Sequence, residues 1–207
     1  MLSMFVTWPR ARRAQAAAII LTAAMIFAVV AVGPVMAEAN SCQELLVNGN
    51  METADGWSVQ TNGDYNLFSN YQARSGQSAA YLAGVNGAED ALSQTLSLPA
   101  NHQTTLRFWW LINSEENSNG WDGFSVQLAD ANGAPLRVLF AASDRSAGYS
   151  WQQTTIDLTE FAGQTVQLRL QGRTDATLST DFFVDDMSMT ACDLSASGTF
   201  FLPFVSR

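Results

Sequence analysis

The sequence predicts an all-β fold, a two-sheet antiparallel β-sandwich, and three observations predict it. Apolar and polar residues alternate with a period of two, turn-forming clusters recur between those stretches, and no segment beyond the leader keeps helical periodicity over three turns. A period of two places successive side chains on opposite faces of a strand, one of them against a core. Many short strands with regular turn signals imply a sandwich or a barrel.

In chain order, strands are expected near 78–82, 92–98, 105–112, 124–128, 136–141, 152–158, 166–171 and 181–189. The clearest is 105–112, where Leu106, Phe108, Trp110 and Ile112 face one way and Arg107, Trp109 and Leu111 the other. Phe124, Val126 and Leu128 alternate with Ser125 and Gln127, and Val166, Leu168 and Leu170 alternate with Gln167, Arg169 and Gln171. Asp130-Ala131-Asn132-Gly133 reads as a hairpin turn, with Gly133 able to take a positive φ. In the last strand Phe182 and Val184 share a face, as do Met187 and Met189, so the phase slips by one at Asp185-Asp186. A β-bulge there would absorb the extra residue and re-aim a carboxylate.

Residues 1–37 stand apart from this pattern. Arg10, Arg12 and Arg13 precede an apolar run over 16–32, Gly33-Pro34 breaks any helix, and Val35-Met36-Ala37 offers a small-residue cleavage site. This is the layout of a secretory signal helix outside the fold. The run is also close to the ~20 apolar residues that span a bilayer, so an uncleaved anchor is the alternative. Either reading places the rest of the chain outside the cytoplasm, secreted or at the cell surface.

About 165 residues remain, enough for one domain with a sizeable core. The chain has no Lys, and without the three leader arginines seven Arg face nineteen acidic residues, a net charge of −12. So acidic a surface excludes nucleic acid, whose phosphates require a basic partner. Cys42 and Cys192 bracket nearly all of this part. In an exported protein such a pair is most simply a disulfide, which requires the first and last strands to be neighbours. The end of the chain, 193–207, reads as a small polar linker and an apolar tail, either an extra strand or a docking segment.

Three segments carry a resemblance. Leu45-Leu46-Val47-Asn48-Gly49-Asn50-Met51-Glu52 with Gly56-Trp57 stands near the start, Ser75-Gly76-Gln77-Ser78-Ala79-Ala80-Tyr81-Leu82 follows, and Phe182-Phe183-Val184-Asp185-Asp186-Met187-Ser188-Met189 ends the domain. In this order and spacing, residues 42–192 resemble the galactose-binding-like jelly rolls, in particular the bacterial carbohydrate-binding modules found beside xylanases and cellulases. Met51 departs from the family's usual Phe. The resemblance implies a jelly-roll sandwich that binds a polysaccharide or glycan. It also implies a structural calcium ion held by the side chains of Glu52 and Asp185 and by backbone carbonyls of Asn50 and of the loop Ser75 to Gln77. A mixed set of carboxylates and carbonyls is what calcium takes. The bland alternative is that Asp185 or Asp186 makes a turn-like hydrogen bond.

A sugar face needs an aromatic ring to stack on and planar polar groups to bond hydroxyls. If their strands pair as neighbours, Arg107, Trp109, Gln127, Arg169 and Gln171 supply one; a Trp109 covered by a loop is the competing expectation. The polar loop 114–122, with Glu115, Glu116, Asp122 and Trp121, offers a second cation or ligand position, against a purely solvated loop. No nucleophile elbow, phosphate loop or zinc-binding His pair occurs, and His102 is alone. The expected function is therefore a secreted, non-catalytic, calcium- and disulfide-stabilised carbohydrate-binding module. The alternative is a MAM-like adhesion domain binding protein or other cell-surface components, and a glycan-active enzyme ranks below both.

Overall fold

The structure is a computed structural model that describes residues 41–117 and 120–194. The leader 1–37 and the tail 195–207, and with them the signal-or-anchor and docking readings, lie outside the described residues. Eleven strands form the described part. The first six are β1 (Cys42–Glu44), β2 (Ser58–Thr61), β3 (Phe68–Ser69), β4 (Ala79–Leu82), β5 (Glu89–Ser97) and β6 (His102–Ser114). They are followed by β7 (Gly123–Asp130), β8 (Pro135–Ser143), β9 (Gly148–Asp157), β10 (Thr165–Arg173) and β11 (Thr180–Asp193). One sheet runs β3-β4-β11-β6-β9 with β1 also on β11, and the other runs β2-β5-β10-β7-β8. All pairings are antiparallel. The expected sandwich and each of the eight expected strands are present; the short β1, β2 and β3 have too few residues to show a period.

The alternation fills the space between the sheets. Leu106, Phe108, Trp110, Ile112, Phe182, Val184, Met187 and Met189 from one sheet meet Leu92, Leu96, Phe124, Val126, Leu128, Val166, Leu168 and Leu170 from the other. Burying a side chain of this size stabilises by roughly 1.5–3 kcal/mol, so this layer dominates the fold. The described residues form one compact unit.

The phase slip is a bulge. Asp185 pairs with Trp109 and Ser188 with Arg107, so three steps on β11 match two on β6. Asp186 absorbs the difference with φ at 44°. Glu44 then covers the disturbed ladder: its Oε1 accepts from the amides of Leu46 at 2.9 Å and Met189 at 2.8 Å, and its Oε2 from the Ser188 hydroxyl at 2.6 Å. Cys42 and Cys192 are register partners and are joined by a disulfide. The turn after β7 also forms as expected, with Gly133 at φ 85° and Asp130 Oδ1 accepting from the amides of Asn132 and Ala134. His102 sits at the start of β6, its Nε2 2.8 Å from Asp193 Oδ1, so β11 extends one residue into the expected linker.

Candidate functional site

The topology divides the expected sugar face. Arg107 and Trp109 lie on β6, in the six-stranded sheet, whereas Gln127 lies on β7 and Arg169 and Gln171 on β10, in the five-stranded sheet. The core-facing partners of both groups point into the same sandwich, so the two groups occupy opposite outer surfaces. The expected five-residue cluster is corrected to two separate sets, because the chain changes sheet between β6 and β7.

Trp109 is also occupied. The Arg74 guanidinium carbon lies 3.8 Å from the centre of its ring. Arg74 in turn pairs with Asp186 on the bulge. The indole is thus half-buried beneath a cation, not offered to a ligand. Arg107 is exposed beside Ser188 and Thr155, its partners across the two ladders.

On the five-stranded sheet the other three residues do come together. Gln127 is directly opposite Arg169, and Gln171 is two residues further along the same strand face. Gln60, Ala91, Gln171 and Ser125 form one cross-strand row; Ser58, Ser93, Arg169, Gln127 and Val138 form the next. Small Ala91 and Ser125 flank the tall Gln171, which leaves a hollow on each side of it. One, of about 250 Å³, is lined by Gln60, Asn62, Glu89, Arg169 and Gln171. The other, of about 330 Å³, is lined by Ser125, Gln127, Ala141, Gln171 and Arg173. The polar groups here are sparsely committed. Arg169 Nε is buried with no hydrogen-bond partner, and Gln127 Nε2 donates only to Ser125 Oγ at 2.7 Å among the described residues. An unpaired buried donor is costly, so this surface gains from an incoming acceptor. The one aromatic residue lining either hollow is Phe124, which belongs to the buried core. Trp121, 64% exposed, precedes Gly123 at the end of the second hollow.

The three segments behind the resemblance also converge. The Met187 amide donates to the Gly49 carbonyl at 2.7 Å, which ties the first segment to the bulge. Asp185, fully buried, accepts from the amides of Arg74 at 2.8 Å and Ser75 at 3.1 Å through Oδ2, and from Asp186 at 2.7 Å through Oδ1. Glu52 accepts from the Gln77 amide at 3.0 Å and 3.2 Å. Gly76, at φ 61°, takes a backbone conformation that favours glycine, and a Cβ there would push the Glu52 carboxylate aside. This loop meets Asp185 and Glu52 through amide N–H groups, whereas the resemblance implies carbonyls. Asp185 Oδ1 and both Glu52 oxygens nevertheless keep lone pairs, and Asn50 is exposed beside them in sequence. Burial pushes the Asp185 carboxyl up, against the lowering effect of its three amide bonds. A buried carboxylate held only by amides fits a cation, because a counter-charge offsets its desolvation.

The six-stranded sheet carries a feature that the sequence did not reveal. Tyr71, Tyr81 and Phe183 stack, with Tyr81 and Phe183 centres 5.1 Å apart and Tyr71 72% exposed at the end. Tyr71 lies in a loop, where no periodicity could have placed it. Beside the stack, the Tyr81 hydroxyl donates to Asp181 Oδ1 at 3.0 Å. Burial, then the nearby Asp181 charge, pushes the Tyr81 phenol up; burial likewise raises Asp181, with Glu115 adding to it.

No family model and no curated protein matches the chain. Solved structures do. TmCBM61, in complex with β-1,4-galactotriose, is 16% identical and superposes with a TM-score of 0.54 over 71% of this chain and 97% of its own. A cleaved adhesin domain of Lys-gingipain from Porphyromonas gingivalis is 20% identical, with a TM-score of 0.52 over 72% and 99%. A family 16 carbohydrate-binding module is 21% identical, with a TM-score of 0.45 over 70% and 98%. With its two antiparallel sheets and its first and last strands paired, the chain shares a jelly-roll β-sandwich fold with TmCBM61 and the gingipain adhesin domain.

Proposed function

We propose that this is an exported, non-catalytic module that binds a glycan on the outer face of its five-stranded sheet. The observation that carries the reading is the double row of planar polar groups centred on Gln171. Arg169, Gln127, Gln171 and Gln60 offer donors and acceptors at strand spacing, with a hollow on each side. Amides and guanidinium groups in such a row suit the adjacent hydroxyls of an extended sugar chain. Trp121, exposed two residues before Gly123 of the second hollow, supplies an aromatic ring. We also propose that a calcium ion sits between Glu52, Asp185 and the backbone near Asn50 and Ser75–Gln77, where it would neutralise buried charge and fix the loop; it supplies stability and takes no part in recognition.

A panel of polysaccharides presented to residues 38–207 tests the reading. Retention on one sugar class, lost in Arg169→Ala, supports it. Retention that survives Arg169→Ala and Gln127→Ala, or no retention by a well-folded sample, contradicts it. A second reading rests on the exposed Tyr71 at the end of its ring stack, which suits protein adhesion at the opposite sheet. In that case Tyr71→Ala, and not Arg169→Ala, removes cell-surface binding.

A further inference from the structure

Asp122 and Asp175 are 53 residues apart in sequence, and the fold brings them together with Glu116. One carboxylate oxygen from each of the three lies within 4.8 Å of the others. Asp122 is 1% exposed, its Oδ1 accepts from the Asp175 amide at 2.8 Å, and its Oδ2 is buried without a partner. Asp175 directs its Oδ1 to the Thr177 amide at 2.9 Å, which leaves its Oδ2 uncommitted. The backbone of Glu116 is fixed by the Ser114 hydroxyl at 3.0 Å, and Ser114 is 2.7 Å from the Thr180 hydroxyl at the start of β11. The Glu115 amide, bonded to the Ser179 carbonyl at 3.1 Å, makes a third tie between these two connections.

We propose that Glu116, Asp122 and Asp175 are a second divalent-cation site, of the calcium class. A buried carboxylate oxygen without a hydrogen bond calls for a metal or a proton. The donors are all hard oxygens, with neither Cys nor His among them, which selects calcium over zinc. The three oxygens lie within 4.8 Å of one another, no more than about twice a calcium–oxygen bond, so one ion reaches all three, with water completing its six to eight ligands. The site joins the β6–β7 connection to the β10–β11 connection one residue after Trp121. Its occupancy therefore fixes the loop that carries Trp121, whether or not that residue meets a sugar.

The test titrates Ca²⁺ calorimetrically into the Glu52→Gln form of residues 38–207, where the first candidate site is impaired. One binding event is expected, weakened at least tenfold by Glu116→Gln and by Asp175→Asn. The Glu116 side chain makes no hydrogen bond among the described residues, so that variant leaves the fold intact even if Asp175→Asn does not. Terbium luminescence excited through tryptophan should fall in Trp121→Phe while calcium affinity stays unchanged. No calcium binding in the Glu52→Gln background, or affinity untouched by Glu116→Gln, overturns the proposal. Because the readout is calcium alone, failure here leaves the glycan reading standing, and the reverse also holds.

Discussion

At the scale of single residues, the same type of side chain has different roles on the two outer faces. Trp109 has the chemistry of a sugar platform, yet Arg74 covers it and Asp186 holds Arg74 in place. Trp109→Ala should therefore cost about 1–2 kcal/mol of stability, from a lost cation–π contact and part of an indole's burial. Denaturant midpoints would check this; an unchanged midpoint would show that the stack contributes nothing. Asp181 gives a pH signature. Its folded pKa is raised by burial above the ordinary value near 4, so the folded state binds its proton more tightly than the unfolded state does. Stability therefore falls as pH rises from about 4 through the folded pKa, and stays lower above it. Asp181→Asn keeps an acceptor for Tyr81 and should flatten that slope, with a gain at pH 7 of about 0.5 kcal/mol after solvent screening. A slope identical to wild type would refute the assignment.

At the scale of elements, the strands were legible and their sheet membership was not. Alternation in 105–112, 124–128 and 166–171 gave each strand its inner face, and the slip between Val184 and Met187 located the bulge, because both are properties of neighbouring residues. Which strand lies beside which is set by packing at long sequence separation. Sequence order made β6 and β7 look adjacent, and that put Trp109 beside Gln127; in the fold β6 pairs with β9 and β11, and β7 with β8 and β10. Glu116 and Asp122 stood out as a second cation position, but Tyr71 and the third carboxylate, Asp175, did not, for the related reason that loops carry no period. The clamp on the Arg74–Gln77 loop belongs to this scale too. Calcium should raise the melting temperature of wild type, and Glu52→Gln should remove most of that gain; an equal gain in the variant would move the ion away from Glu52.

At the scale of the whole molecule, the disulfide ties the first strand to the last across a sequence separation of 150. In the chain-entropy model a loop of that length is worth about 5 kcal/mol, comparable with the whole stability of many domains. Reduction should lower the denaturation midpoint sharply, and a midpoint insensitive to reductant would show that the bond constrains little. The −12 charge of residues 38–207 keeps such a domain away from anionic partners. A neutral polysaccharide meets no such repulsion. The fold supplies two outer faces, and function lies in which one is used. The most direct test is calorimetric titration of the polysaccharide selected by the panel into Gln171→Ala and Trp109→Ala, side by side. The account expects Gln171→Ala to weaken binding at least tenfold while Trp109→Ala binds like wild type; loss of binding in Trp109→Ala with Gln171→Ala unaffected would contradict it.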